Sequence, residues 1–439
     1  MPPIAARAHL RTRSTSVLGA IVGILWVGCS SPEPSARAVI AEPAVTHVPE
    51  PPPTVAWVGG DVLMSGAIRR SIRPDSAAGF ARIIAPVSAR WRSDDGAFVM
   101  VNMEAPVAER RNENDLYTRD KAGPGRVPAP LNAPRWMLQG LQGAGVDAIM
   151  LANNHALDQE REGLRETIQS ARRLGLVTTG AGVSPHVAWP IVVGEEGRRL
   201  AILSYFDKEN PEPPLEAGDP GLNILGPNAD DQIRVARQDA DAVLVVIHVV
   251  AELFTGIKPR WRETVRALVA SGADAIAIHG QHVVAPVEVI EGPYGPVTVA
   301  YGLGNFFSDM GAATNPDRRP TSNSKWEDVN ARSGLLMRVA LHNGEIDVRF
   351  LPLWMHHNRW LVHNRAHDEL TFSLVPLAPE GSPFRWTAPR WEEPWAGAYE
   401  RWLGEERDRL ARRAGLVAEG PFFRAAPASN VSQEPEAPP

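Results

Sequence analysis

A single cysteine, Cys29, leaves this chain unable to close an intramolecular disulfide, and one thiol cannot build a structural zinc site. A basic excess is missing as well. With a formal net charge of -6 and a pI near 6.1 there is no electrostatic footing for a nucleic-acid partner. Internal repeats are lacking, and the longest apolar run, Val17 to Val27, is shorter than the roughly 20 residues a membrane-spanning helix needs. What is present is 44% hydrophobic and 22% charged residues over 439 positions. That is the composition of a soluble globular protein, long enough for a sizeable core in one large domain or two ordinary ones.

The position of the lone cysteine is informative. Residues 1–29 carry Arg7, Arg11 and Arg13 and no acid, then the apolar run, then Gly28-Cys29 ahead of Ser30-Ser31. A charged head, an apolar segment and a small residue at the cut make an export signal. With the cut before a cysteine, the segment resembles a bacterial lipoprotein signal. It predicts an exported, membrane-anchored lipoprotein of the cell envelope with its lipid anchor at Cys29; a plain signal or a short anchor would also export the chain. Residues 30–53 are rich in Pro, Ala, Ser and Glu and cannot bury enough apolar surface to fold, so they read as a linker. Residues 426–439 read as a similar disordered tail.

Residues 54–365 alternate apolar runs with helical patterns, which predicts an α/β domain with an α+β tendency. The expected strands are 55–58, 97–101, 148–151, 200–204, 242–247, 275–278 and 297–301. Leu164, Ile168, Ala171 and Leu174 form one helical stripe, and Trp261, Val265, Leu268 and Val269 another. Asn343-Gly344 between the runs 335–341 and 346–353 is a strong hairpin signal. Residues 366–425, rich in Trp and Pro, read as an appendage with one helix from Trp395 to Ala414.

The strand ends hold the chemistry. In order they carry Gly60-Asp61, Asn102-Met103-Glu104, Asn153-Asn154-His155, His248, His279-Gly280-Gln281-His282 and Gly304-Asn305. Open α/β sheets bind ligands at such ends. Each residue alone has a plain structural role: a histidine satisfied by its neighbours, a turn glycine, an Asp that caps a helix, as expected of Asp158. Together, two carboxylates, amides and several imidazoles after buried strands favour a metal or polar catalytic cluster. The donors suit Mn, Fe, Zn or Mg.

These phrases, with Leu141-Gln-Gly-Ala-Gly-Val-Asp147 leading into Leu151-Ala-Asn-Asn-His155, Gly180-Ala-Gly182, Gly272-Ala-Asp274 and Tyr301-Gly-Leu-Gly-Asn-Phe306, resemble the CapA family of capsule and poly-γ-glutamate synthesis proteins. The resemblance covers roughly 55–353. It implies a fold of the calcineurin-like metallophosphatase type, a two-layered β-sandwich flanked by helices, with one or two divalent ions. Metal ions about 3.5–4 Å apart clamp a phosphoryl or carboxyl oxygen. Carried over, Asp61, Glu104, Asn154, His248 and His282 are metal ligands, with Glu104 the better candidate for a bridge, and His155 is the catalytic imidazole. Asn153, His279 and Asn305 are further site candidates.

Two departures stand out. Val249-Val250 follow His248 where the family shows Trp-Gly, and Ile278-His279-Gly280-Gln281-His282 stands where it shows Gly-x-His-Pro-His. Gly280 thus occupies the place of a family histidine, and on an extended backbone His279 would turn to the opposite face. That predicts a weakened metal site, and hence a one-metal enzyme or a protein that binds without catalysis. The function implied is synthesis, release or attachment of an anionic envelope polymer, as a metal-dependent hydrolase or transferase acting on the polymer or its precursor beside a membrane-bound synthase. The alternatives are a non-catalytic scaffold or polymer-binding component and an unrelated metallophosphoesterase.

Overall fold

A strand buried on both faces needs apolar residues at every position, and the run from Val55 onward meets that demand: all but the first residue of its strand are buried. A computed structural model describes residues 51–63, 68, 72, 76–108, 131–183, 190–208, 217–308, 310–311, 329–357, 371–380, 382 and 396–427. The export signal, Cys29, nearly all of the linker and nearly all of the tail lie outside them.

In chain order the described elements are β1 (Thr54–Val62), α1 (Ser76–Trp91), β2 (Phe98–Met103), α2 (Arg135–Gly143), β3 (Ala148–Met150), α3 (Glu160–Arg173), β4 (Val177–Thr179), β5 (Ala181–Val183), β6 (Ile191–Val193) and β7 (Leu200–Asp207). There follow β8 (Pro220–Leu222), α4 (Ala229–Asp239), β9 (Ala242–Val249), α5 (Pro259–Ala270), β10 (Ala275–His279), β11 (Val287–Gly292), β12 (Gly295–Ala300) and β13 (Asn305–Phe307). The last are β14 (Ser333–His342), β15 (Glu345–His357), β16 (Phe372–Pro376), α6 (Ala396–Ala414), β17 (Leu416–Glu419) and β18 (Phe422–Ala425).

The first sheet runs β17-β18-β15-β14-β1-β2-β3-β4, with β13 beside β1 and β16 beside β15; the second runs β11-β12-β10-β9-β7-β6. Period-2 alternation divides each central strand between two cores. Ala56, Val58, Met100 and Met150 of the first sheet share one core with Ile202, Leu244, Val246, Ala275 and Ala277 of the second. The opposite face of the first sheet, through Val99, Val101 and Ile149, packs on Phe80, Leu138, Leu164 and Ile168 of α1 to α3. The opposite face of the second, through Val243, Val245, Ile276 and Ile278, packs on Ile233, Trp261 and Val265 of α4 and α5. The result is the expected α/β class: two packed sheets covered by helices on both outer faces.

Both helical stripes are core, and Asn343-Gly344 closes the β14–β15 hairpin with positive φ at both residues, as a two-residue primed turn requires. The composition of the C-terminal region hid three strands. β16 and β18 both pair with β15, so the first sheet continues into a stretch that reads as an appendage. Among the described residues no helix is long and apolar enough to cross a membrane.

Candidate metal centre

In parallel strands all C-terminal ends point one way, and here β1, β2 and β3 of one sheet and β7, β9 and β10 of the other are parallel among themselves. The residues at these ends inherit the alternation of their strands. His248 continues the inward positions Leu244 and Val246, and His279 continues Ala275 and Ala277. The two histidines are also direct register partners. On the facing sheet, Gly59 pairs with Val101 but Asp61 pairs with Asn102, so Gly60 is an extra residue in β1. This bulge turns Asp61 to the same inward side as Asn102. The polar cluster therefore forms the end of the core between the two sheets.

Asp61 is at its centre, fully buried. Its Oδ1 accepts from Asn102 Nδ2 at 2.9 Å and from His279 Nδ1 at 2.8 Å, and its Oδ2 from the Gly280 N–H at 3.0 Å. His248 Nδ1 lies 3.1 Å from His279 Nδ1 and 3.8 Å from Asp61 Oδ1. Glu104 directly follows β2, and its N–H is bonded to Val62 O at 3.3 Å. Its Oε1 lies 3.8 Å from the Nε2 atoms of both His248 and His282, between the two imidazoles. Asn154 Oδ1 is 2.7 Å from His248 Nε2. Asn153 bonds Asn102 Oδ1 and Met103 O, each at 3.0 Å, and accepts the His155 N–H at 3.1 Å, so it ties the third strand end to the second.

His279 therefore faces the site rather than the opposite side. The chain is not extended beyond it: Gly280 has φ +102° and His282 φ +62°, two left-handed residues that return the backbone so that positions 279 and 282 both reach Asp61. The rhythm Ala275, Ala277, His279 carried this orientation. Gly280 itself has no room for a side chain, since a Cβ there would lie 2.1 Å from Val249 O and 2.9 Å from the His248 ring.

Asp158 is not a helix cap. The N-cap of α3 is Gln159, while Asp158 Oδ2 accepts the Leu131 N–H at 2.7 Å and stands 2.9 Å from His155 Nδ1. His155 is partly exposed, and its Nδ1 is the ring nitrogen that faces Asp158.

The donors fit a divalent cation. Asp61, His248 and His279 form one group, and Asp61, Glu104 and His282 a second; in each, the donor atoms lie within 4.8 Å of one another. All five side chains are buried, and the His279 Nε2 has no hydrogen-bond partner. Two carboxylates in such a place demand positive charge. Burial alone would raise the Asp61 pKa, yet His279 and His282 hold it well below the ordinary carboxylate value. Burial and the neighbouring His279 keep His248 well below its ordinary value, so it is neutral. Burial works against a proton on His282 too, but Glu104 and the contact to Asp61 outweigh it and push the ring up to about 9. A cation entering beside His282 must displace that proton.

Comparison with known proteins agrees with the motif order. Residues 55–310 match the family described as "Bacterial capsule synthesis protein PGA_cap". The PGA biosynthesis protein CapA of Bacillus subtilis (strain 168) is 27% identical over 255 residues, which cover 57% of this chain and 62% of that protein. The capsule biosynthesis protein CapA of Bacillus anthracis is 27% identical over 264 residues, 59% of this chain and 60% of that one. The match thus spans less than two thirds of the length of either relative. Among solved structures, the NAD nucleotidase NadN of Haemophilus influenzae superimposes with a TM-score of 0.41 at 11% identity, over 82% of this chain and 61% of that chain.

Proposed function

This chain belongs to the bacterial capsule synthesis protein family PGA_cap, and on that premise we propose that it acts on an anionic envelope polymer of the poly-γ-glutamate type, or on its precursor, through a divalent-metal centre between the two sheets. Asp61, Glu104, Asn154, His248 and His282 are its ligands, and one or two ions occupy it. The observation that carries the reading is the convergence of two buried carboxylates, Asp61 and Glu104, and three buried imidazoles, His248, His279 and His282, from four strand ends on one cluster. The names of the Bacillus relatives supply the polymer class. The reaction is hydrolysis or transfer at a phosphoryl or acyl centre, in the course of synthesis, release or attachment of the polymer.

A bound divalent ion would polarise the phosphoryl or acyl oxygen. The rest belongs to this chain's own side chains. Asp158, held by the Leu131 N–H, takes a hydrogen bond from His155 Nδ1 and so leaves Nε2 to exchange a proton with the attacking or leaving oxygen. Asn102 and Asn153 lock Asp61 and the His155 backbone in one hydrogen-bonded chain. The burial of the cluster excludes bulk water from every group except the His155 and Asn154 side.

With a p-nitrophenyl phosphodiester and a γ-glutamyl p-nitroanilide as probes of the two reaction classes, His155→Ala is expected to lower turnover by roughly 10²–10⁴-fold. Asp158→Asn should lower it less, and both variants should keep wild-type metal content by elemental analysis. A metal-loaded wild type that turns over neither probe, yet retains poly-γ-glutamate on a sizing column, would favour the non-catalytic scaffold.

For localisation, the proposal is an exported lipoprotein anchored through Cys29, positioned to meet a membrane-bound synthase. Radiolabelled palmitate should enter the wild type in bacterial cells and should not enter Cys29→Ser; equal labelling would refute the anchor.

A further inference from the structure

The block Tyr301-Gly302-Leu303-Gly304-Asn305-Phe306 supplies no ligand to the proposed centre, yet its asparagine is buried against it. We propose that Asn305 is a positioning residue that fixes both the ring and the backbone of His282, so that Nε2 faces Glu104. This rests on the metal-centre reading for its consequence, though not for its geometry.

Asn305 opens β13, which pairs in parallel with β1 so that Asn305 is the register partner of Asp61. The approach is closer than side chains permit. A Cβ on Gly60 would lie 2.0 Å from Gly304 O, and one on Gly334 would lie 2.1 Å from Asn305 O. Glycine at these two places lets β1, the turn before β13 and β14 stack backbone on backbone, and the Asp61 N–H donates to Gly304 O at 3.2 Å.

The amide can sit in only one orientation. Asn305 Nδ2 donates to Ala331 O at 2.8 Å and to His282 O at 3.3 Å, with Met310 Sδ at 3.6 Å. All three are acceptors, so the nitrogen side must face them and Oδ1 is left toward His282 Nδ1, at 3.1 Å. Asp61 Oδ2 also faces that ring nitrogen, at 3.3 Å. Two oxygens around Nδ1 require it to carry hydrogen, and Nε2 is then the nitrogen presented to Glu104 Oε1, 3.8 Å away. The same amide holds the His282 carbonyl, and with it a φ of +62° that a residue with a Cβ seldom adopts. A histidine ligand whose second nitrogen is held by a hydrogen bond is fixed in tautomer and ring direction.

The test uses the full chain, ¹⁵N-histidine labelled, as wild type, Asn305→Leu and Asn305→Asp. Asn305→Asp keeps an oxygen for Nδ1, whereas Asn305→Leu keeps neither the acceptor nor the donor. In metal-free wild type the His282 Nδ1–H should appear as a solvent-protected resonance; Asn305→Asp should retain it and Asn305→Leu should lose it. In a Zn²⁺ competition titration Asn305→Leu should bind roughly 10–100-fold more weakly than wild type, with Asn305→Asp closer to wild type. If Asn305→Leu keeps the protected resonance and wild-type Zn²⁺ affinity while melting at a lower temperature, Asn305 is only a strut and the proposal is overturned. A wild type that shows the resonance but binds no Zn²⁺ would overturn the metal reading and leave the orientation of His282 standing.

Discussion

An Asp61→Asn protein is expected to bind divalent metal more weakly than wild type by more than the roughly 10–100-fold that loss of a supporting hydrogen-bond partner produces. Asp61 is the carboxylate common to both metal-capable groups, so its charge serves the His248–His279 side and the Glu104–His282 side together. The substitution keeps the volume and removes the charge. It also puts an NH₂ where the native oxygens accept from His279, Asn102 and the Gly280 N–H, so at least one donor is left facing a donor in a buried site. Metal content after dialysis, with affinity from chelator competition, would check it. Wild-type affinity in a folded Asp61→Asn protein would remove Asp61 from the ligand set.

Gly280→Ala should be the most damaging of the single-methyl substitutions in the turn beyond β10. The residue has φ +102°, and its new Cβ would meet the Val249 carbonyl at 2.1 Å and the His248 ring at 2.9 Å. Gly197→Ala is the comparison: φ there is +81°, but nothing lies within 4 Å of the added methyl. The exposed turn should lose only the conformational term, about 1–2 kcal/mol. Gly280→Ala should lose that and roughly 1–3 kcal/mol more for overpacking, with metal affinity falling as His248 is displaced. Denaturant unfolding of the two variants separates the terms. Equal losses would show that position 280 can hold a side chain, and that the glycine there is not a steric requirement.

That steric requirement changes the meaning of the departure at Gly280. Counting backward from His282 along an extended chain places His279 outside the site. Counting forward from Ala275 and Ala277 places it inside, because β10 is still a regular strand at that residue. The forward count was available in the residues. The two positive φ values that bring His282 back to the same carboxylate were not, since a left-handed histidine has no local signature. Asp158 departs from expectation for a related reason: an acid just before a helix is usually a cap, but the N-cap of α3 is Gln159. Here the Leu131 N–H and His155 compete for its Oδ2, and neither partner can be known before the loop at 131 is placed.

Local pattern by itself determined the central strands and helical stripes, the β14–β15 turn, and the fact that polar side chains stop the buried strands at Asp61, Glu104, Asn153, His248 and His279. Those properties depend on alternation, burial and turn chemistry within a few residues. The tertiary structure alone decided which of these side chains meet. Asp61 and His279 are 218 residues apart and lie in different sheets, joined at 2.8 Å only because the two sheets pack face to face with their parallel ends aligned. The bulge at Gly60, the backbone approach of Gly304 to Gly60 and the orientation of the Asn305 amide belong to the same class. Each is a contact between segments whose relative placement is set by the shared core, and no single stretch of the chain carries that information.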